Sequence, residues 1–203
     1  MSYFPFFMEL KGKEGLVIGG GTVALRKVEK LLPYGAKLTV IAPKILPEIQ
    51  KMEEITCMEI PFTPIALEGK TFVIAASDDL RVNREAAELC RERGILVNVV
   101  DCKEECSFLF PSLVKRGELS IGISTGGASP SAAVYVKEQI ERILPEDFDA
   151  LLEELAALRP RVMEQAEEQT RGGIFKELFV RRLISGAPLD EETIRRILAG
   201  EEK

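Results

Sequence analysis

Apolar residues fall in two regimes along this chain. In the first hundred positions, short and nearly unbroken apolar runs alternate with segments at helical spacing. The runs cover residues 15–19, 37–42, 55–60, 71–76 and 95–100, are rich in Val and Ile, and predict strands. Between them, residues 22–32 carry Ala24, Val28 and Leu31 on one helical face. Residues 79–93 carry Ala86, Leu89 and Cys90 on another, closed by Gly94. Apolar strands separated by helices indicate a parallel sheet covered on both faces. The expected class is therefore α/β with a Rossmann-type parallel sheet.

The pattern changes after Val100. Residues 107–114 and 119–124 read as two strands joined by the polar turn Lys115-Arg116-Gly117-Glu118, a hairpin instead of a βαβ unit. Ser129-Pro130 then opens a helix, with a serine cap and proline at the first helical position, and Pro145 stops it. From Glu146 onward everything reads as helix. Phe148, Leu151, Leu152 and Leu155 form one stripe, and Ile174, Phe175, Leu178 and Phe179 another. Pro160 is expected to mark a boundary or kink and Gly172-Gly173 a joint, while Asp190 caps a last short helix ending at Gly200. This divides the chain into a Rossmann domain at 1–106, a small α+β region at 107–145, and a helical region at 146–203.

Composition narrows the partners. Hydrophobic residues make up 46% of the 203 positions, enough for a core, and no apolar run reaches the span of a bilayer. The net charge of −6 sits mainly in residues 146–203, which carry 14 acidic and 9 basic side chains. No basic patch suits nucleic acid. The start lacks the basic region of a secretion signal, so Cys57, Cys90, Cys102 and Cys106 point to a reduced, cytoplasmic setting. With no CxxC spacing and no histidine in the sequence, no resident metal site is expected.

The strongest chemical signal is Gly19-Gly20-Gly21-Thr22-Val23-Ala24, a G-x-G-x-x-A turn directly after the first strand and opening the first helix. Gly19 allows the tight turn, Gly21 lets backbone approach a pyrophosphate, and Ala24 permits close helix–strand packing. The helix N-terminus then offers free N–H groups to the phosphates. A plain glycine-rich turn is the alternative; a P-loop does not fit, because no Lys-Ser/Thr follows the glycines. The second strand ends Ile41-Ala42-Pro43-Lys44, without the acidic residue that normally holds the ribose hydroxyls, so chemistry alone leaves NAD and NADP open.

Two further places carry candidate chemistry. Ser124-Thr125-Gly126-Gly127-Ala128-Ser129-Pro130 is a second glycine-rich loop entering a helix, either an anion pocket or a well-capped helix start. Asn98-Val99-Val100-Asp101 ends the last parallel strand, where ligands of open α/β sheets bind. There Asp101 either moves a proton or caps the following loop. Ala76, Ser77, Asp78 and Asp79 hold the equivalent place after the fourth strand, with Asp78 or Asp79 expected to cap a helix.

Together these segments resemble the precorrin-2 dehydrogenase family, the amino-terminal NAD-dependent module of sirohaem synthases, which also occurs as stand-alone proteins. The stretches that carry the likeness are FPFFMELKGKEGLVIGGGTVALRKVEKLL, FVIAASDDLRVNREAAELCRERGILVNVVD and SFLFPSLVKRGELSIGISTGGASPSAA. The resemblance implies oxidation of precorrin-2 to sirohydrochlorin with NAD+ in sirohaem biosynthesis. It also implies a homodimer built on the region after the Rossmann domain. By position it assigns cofactor binding to Gly19, Gly20, Gly21, Thr22, Val23, Pro43 and Lys44, with Ala76 and Ser77 beside them, and catalysis to Asp101. Asn98, Lys115, Arg116, Ser124, Thr125, Gly126, Gly127 and Ser129 are expected to serve the polycarboxylate substrate, with Lys137 a further candidate cation. Thr125 stands where some members have a phosphorylatable serine. A missing carboxylate after the second strand is typical of the family and favours NAD. Some members also insert ferrous iron; the absence of histidine leans this chain towards dehydrogenation alone. An NAD(H)-sensing regulatory module and a tetrapyrrole carrier are the alternatives from other classes, though neither explains NVVD together with the second glycine loop.

Overall fold

The computed structural model describes residues 3–201. They form two compact units that divide between Phe110 and Pro111.

The first unit holds five parallel strands, β1 (Glu14–Ile18), β2 (Lys37–Ile41), β3 (Ile55–Met58), β4 (Phe72–Ala75) and β5 (Leu96–Val99), in the order β3-β2-β1-β4-β5. This is a Rossmann-type sheet, as the alternating pattern predicts. Helices α1 (Thr22–Leu31) and α2 (Pro47–Gln50) follow β1 and β2, and α3 (Leu80–Glu92) follows β4. Successive side chains of a strand point to opposite faces, and here both faces are apolar. Val17, Leu38, Val40 and Ile74 pack with Ala24, Val28 and Leu31 of α1 on one face. Leu16, Ile18, Val73, Ala75, Val97 and Val99 pack with Ala86, Ala87 and Cys90 of α3 on the other.

The second unit begins with the antiparallel hairpin β6 (Ser112–Arg116) and β7 (Leu119–Ile123), followed by α4 (Pro130–Ile143), α5 (Phe148–Gln165), α6 (Glu168–Ser185) and α7 (Glu191–Leu198). Its hairpin loop is only Gly117-Glu118, because Arg116 pairs with Leu119. Residues 107–111 do not belong to the hairpin strand. Ser107 instead lies along β5, its N–H donating to the Val97 carbonyl at 2.8 Å and its Oγ accepting from the Val97 N–H at 2.7 Å.

The joint expected at Gly172-Gly173 is corrected: both glycines lie inside α6. Pro160 lies inside α5, so of a boundary or a kink the structure excludes the boundary. Burial of Leu158, Val162, Ile174 and Leu178 in a shared core carries both helices through these weak positions. The turn between them falls at Ala166-Glu167. Arg182, only 2% exposed, crosses from α6 to Asp147 at 2.6 Å and Glu154 at 2.8 Å. Glu154 also accepts from the Leu189 N–H at 2.8 Å. Among the described residues no helix is long and apolar enough to cross a membrane.

Candidate functional site

The candidate site of the first unit lies at the carboxyl ends of β1, β2, β4 and β5. The order of strands reverses between β1 and β4, and crevices of open α/β sheets form at that switch point. The glycine turn sits there. Gly19 has φ 125°, a region closed to other residues, and a Cβ on it would meet the Ala76 carbonyl oxygen at 2.2 Å. A Cβ on Gly20 would meet the Lys44 carbonyl oxygen at 2.3 Å. Gly21 differs: a Cβ there would meet nothing of the protein within 4 Å. The first two glycines are therefore required by the fold, while the third borders open space.

Gly21 is also the N-cap of α1. No side chain caps this end and no acidic residue lies in its first turn. Gly21, Thr22 and Val23 are exposed, so the helix start faces solvent with its N–H donors and the positive end of its dipole. Ala24 is fully buried against the sheet. An anionic diphosphate fits this cradle by shape and by charge. Pro43 and Lys44, exposed, follow β2, and Leu46 N–H donates to the Gly20 carbonyl at 2.9 Å, which ties the β2 exit to the turn. Beyond them Glu59, next after β3, accepts from the Ile45 N–H at 3.3 Å and from Gln50 Nε2 at 3.0 Å.

Across the switch point, half-buried Ala76 and Ser77 face the same turn. Asn83, 2% exposed on α3, clamps Ser77 by both of its amide atoms. Sequence reasoning did not single out Asn83, because its partner is the backbone of a loop and no motif marks it. Of the two adjacent aspartates it is Asp79 that caps α3, accepting from the Arg81 N–H at 2.9 Å.

Asp101 follows β5 and is exposed, with φ 58°; it is the one non-glycine among the described residues in the left-handed region. Lys27, in the second turn of α1, lies with its Nζ 3.9 Å from the centre of the Phe110 ring. Burial pushes the Lys27 ammonium below its ordinary range and neighbouring Lys30 adds to this, while the charges of Cys106 and Asp101 act in the opposite direction. The Lys27–Phe110 contact is one that sequence spacing does not reveal. Cys106 supports the Asp101 loop from below. Its thiol accepts from the Val99 N–H at 3.1 Å and donates to the Val99 carbonyl at 3.2 Å. Burial raises this thiol above its usual range, against the Val99 hydrogen bond. Asn98 is buried and donates to the Phe108 carbonyl at 3.0 Å.

The remaining candidates belong to the second unit. In the loop before α4, Thr125 Oγ1 accepts from the Ser129 N–H at 3.1 Å and donates to the Ser129 carbonyl at 3.0 Å. Ser124 Oγ accepts from Gly126 N–H at 3.2 Å, and Ser129 Oγ caps α4 by accepting from Ala132 N–H at 3.2 Å. Ala128 N–H donates to the Thr125 carbonyl. The loop therefore satisfies several of its own donors, with Gly126 and Gly127 at φ 63° and 88° making the bend. Lys115 and Arg116 end β6, Arg116 exposed and Lys115 half-buried, and Lys137 on α4 pairs with Glu141 at 3.6 Å. No group of three or more metal-ligating side chains is clustered among the described residues.

Comparison with known proteins bears on this geometry. Residues 6–112 match the model of a family described as putative NAD(P)-binding, and residues 116–143 match that of the sirohaem biosynthesis protein central region. A siroheme synthase of Nitrosococcus oceani is 34% identical over 206 residues, covering 100% of this chain and 42% of that relative. Siroheme synthase 2 of Aeromonas hydrophila is 39% identical over 168 residues, covering 82% of this chain and 35% of that relative. The chain thus spans well under half the length of these relatives. A solved structure titled SirC, precorrin-2 dehydrogenase is similar with a TM-score of 0.74 at 24% identity, covering 98% of both chains, which supports the fold.

Proposed function

The chain belongs to the putative NAD(P)-binding family, and from that premise we propose that it binds NAD at the glycine turn and dehydrogenates precorrin-2 to sirohydrochlorin. The observation that carries the reading is the pairing, on one sheet edge, of an uncapped helix start bordering open space at Gly21 with Asp101 held in the left-handed region after β5. The names of the similar siroheme synthases and of the similar precorrin-2 dehydrogenase structure point to the same chemistry.

In this reading Gly19–Gly21, Thr22 and Val23 hold the diphosphate through backbone donors. Pro43 and Lys44 border the adenosine half, and Ala76 and Ser77 the nicotinamide half. When bound, NAD+ supplies a hydride acceptor. Asp101 takes the proton lost as the macrocycle gains a double bond, so hydride and proton leave together and the substrate is oxidised by two electrons. Lys115, Arg116 and the Ser124–Ser129 loop are the second unit's candidates for holding substrate carboxylates, each charge-assisted contact contributing ~1.5–3 kcal/mol. A second copy of the chain covers α4, whose Val134, Tyr135, Val136 and Ile143 are 42–78% exposed. Four free thiols suit the cytoplasm.

The test is an anaerobic assay with precorrin-2 and NAD+, reading NADH absorbance. Asp101→Asn is expected to cut the rate at least tenfold, given that losing a general base costs ~10²–10⁴-fold, while NAD+ still binds. Unchanged turnover in that variant removes Asp101 from the reaction.

A further inference from the structure

We propose that Glu59 selects NAD over NADP in this chain, taking the place of the carboxylate that β2 does not provide. The inference rests on the dinucleotide reading above and concerns the adenosine end of that site.

In Rossmann sheets an acidic residue at the end of the second strand holds the adenosine ribose hydroxyls and, by its charge, rejects a 2′-phosphate. Here β2 runs out into Ala42-Pro43-Lys44, and a lysine alone at that place favours the phosphate. The structure brings a carboxylate to the same edge from the next strand. β3 pairs with β2 so that Ile41 lies opposite Met58, and the Ala42 N–H donates to the Met58 carbonyl at 3.2 Å. The residue after Met58 is Glu59, which therefore flanks the Pro43-Lys44 exit.

Glu59 is also anchored. Its Oε1 accepts from the Ile45 N–H at 3.3 Å and from Gln50 Nε2 at 3.0 Å. The Ile45 backbone in turn presses on the glycine turn, its Cα lying 2.7 Å from where a Gly20 Cβ would stand. A short run of backbone thus joins the diphosphate turn, the β2 exit and this carboxylate. The charge is felt nearby: after burial, Glu59 is the second cause that raises the Cys57 thiol. A ribose hydroxyl can donate to such a carboxylate, whereas a phosphate ester on the same oxygen meets like charge. One fixed negative charge near a dianionic phosphate lowers its affinity about fivefold to tenfold in water.

The experiment measures the dissociation constants of NADH and NADPH by fluorescence titration for the wild type, Glu59→Gln and Glu59→Lys. Glutamine keeps an acceptor for the Ile45 N–H and removes only the charge. The wild type should prefer NADH, Glu59→Gln should narrow that preference about fivefold to tenfold by gaining NADPH affinity, and Glu59→Lys should narrow it further or reverse it. The ratio is insensitive to a general loosening of the fold. An unchanged ratio in both variants, an equal loss of both cofactors, or a wild type without NADH preference overturns the assignment while leaving the dinucleotide site standing. A wild type that binds neither cofactor overturns the dinucleotide reading itself.

Discussion

Asn83 and Ser77 hold each other through both ends of one side-chain amide: the Ser77 N–H donates to Asn83 Oδ1 at 3.0 Å, and Asn83 Nδ2 donates to the Ser77 carbonyl at 2.8 Å. This pair fixes the loop after β4 against the glycine turn. Replacing Asn83 with Leu leaves the Ser77 N–H and carbonyl without these partners at a half-buried position, which costs about 1–3 kcal/mol for the two together. Urea unfolding should report a loss in that range, and NADH affinity should fall as well, because Ala76 and Ser77 no longer face Gly19 in a fixed position. A variant that loses stability but binds NADH normally would separate the clamp from the site.

The glycine turn divides into structural and ligand-facing positions. Gly20→Ala drives a methyl to 2.3 Å from the Lys44 carbonyl oxygen, so backbone must move, at a cost of about 1–3 kcal/mol. Gly21→Ala meets no protein atom within 4 Å and should cost less than about 1 kcal/mol, the scale of an N-cap change from glycine. Its effect should fall on NADH binding, weakened tenfold or more. Thermal unfolding and fluorescence titration of the two variants check this crossing of effects.

Asp101 adopts φ 58°. Left-handed backbone costs an alanine about 1–2 kcal/mol, while Asn tolerates it and Gly is indifferent to it. Asp101→Ala should therefore be less stable than Asp101→Asn and Asp101→Gly, although all three lack the carboxylate. Equal unfolding midpoints for the three would show that the conformation is not imposed at this position.

The second unit carries a pH-dependent joint. The Arg182 guanidinium beside Asp147 holds that carboxyl below its ordinary range by hydrogen bonding, with burial opposing. A carboxylate whose pKa is depressed on folding contributes stability above its unfolded value, about 3.9, and loses it as pH falls through the folded value. The stability difference between wild type and Asp147→Asn should thus be constant near neutrality and shrink below about pH 4. Acid titrations of the two proteins followed by circular dichroism test the sign. Arg182→Met should cost about 1.5–3 kcal/mol at neutral pH, the range for hydrogen bonds to charged groups.

The sequence made the strands and the two longer helices of the first unit legible to within one or two residues, though not the single turn of α2. Its strands are apolar on both faces and its helices end in local signals such as Asp79 and Gly94, so neighbours along the chain carry the information. The caps at Ser129 and Asp190 were readable for the same reason. Pro160 and Gly172-Gly173 misled because local propensity argues for a break there, and only burial of Leu158, Val162 and Ile174 decides otherwise. The start of β6 misled because Ser107 spends its hydrogen bonds on Val97, ten residues away. At the site, the glycine turn and Asp101 announce themselves, but Asn83, Lys27 and Glu59 meet partners that only folding brings near.

Gly117 at the hairpin tip leaves so little room that a Cβ there would stand 2.8 Å from Cβ of Asp149 in the first turn of α5. Anyone trimming the chain for crystallisation or fusing it to another enzyme inherits that contact. Removing the residues from 146 onward would take Asp149 away from the hairpin tip and leave Gly117 bordering solvent instead of the first turn of α5.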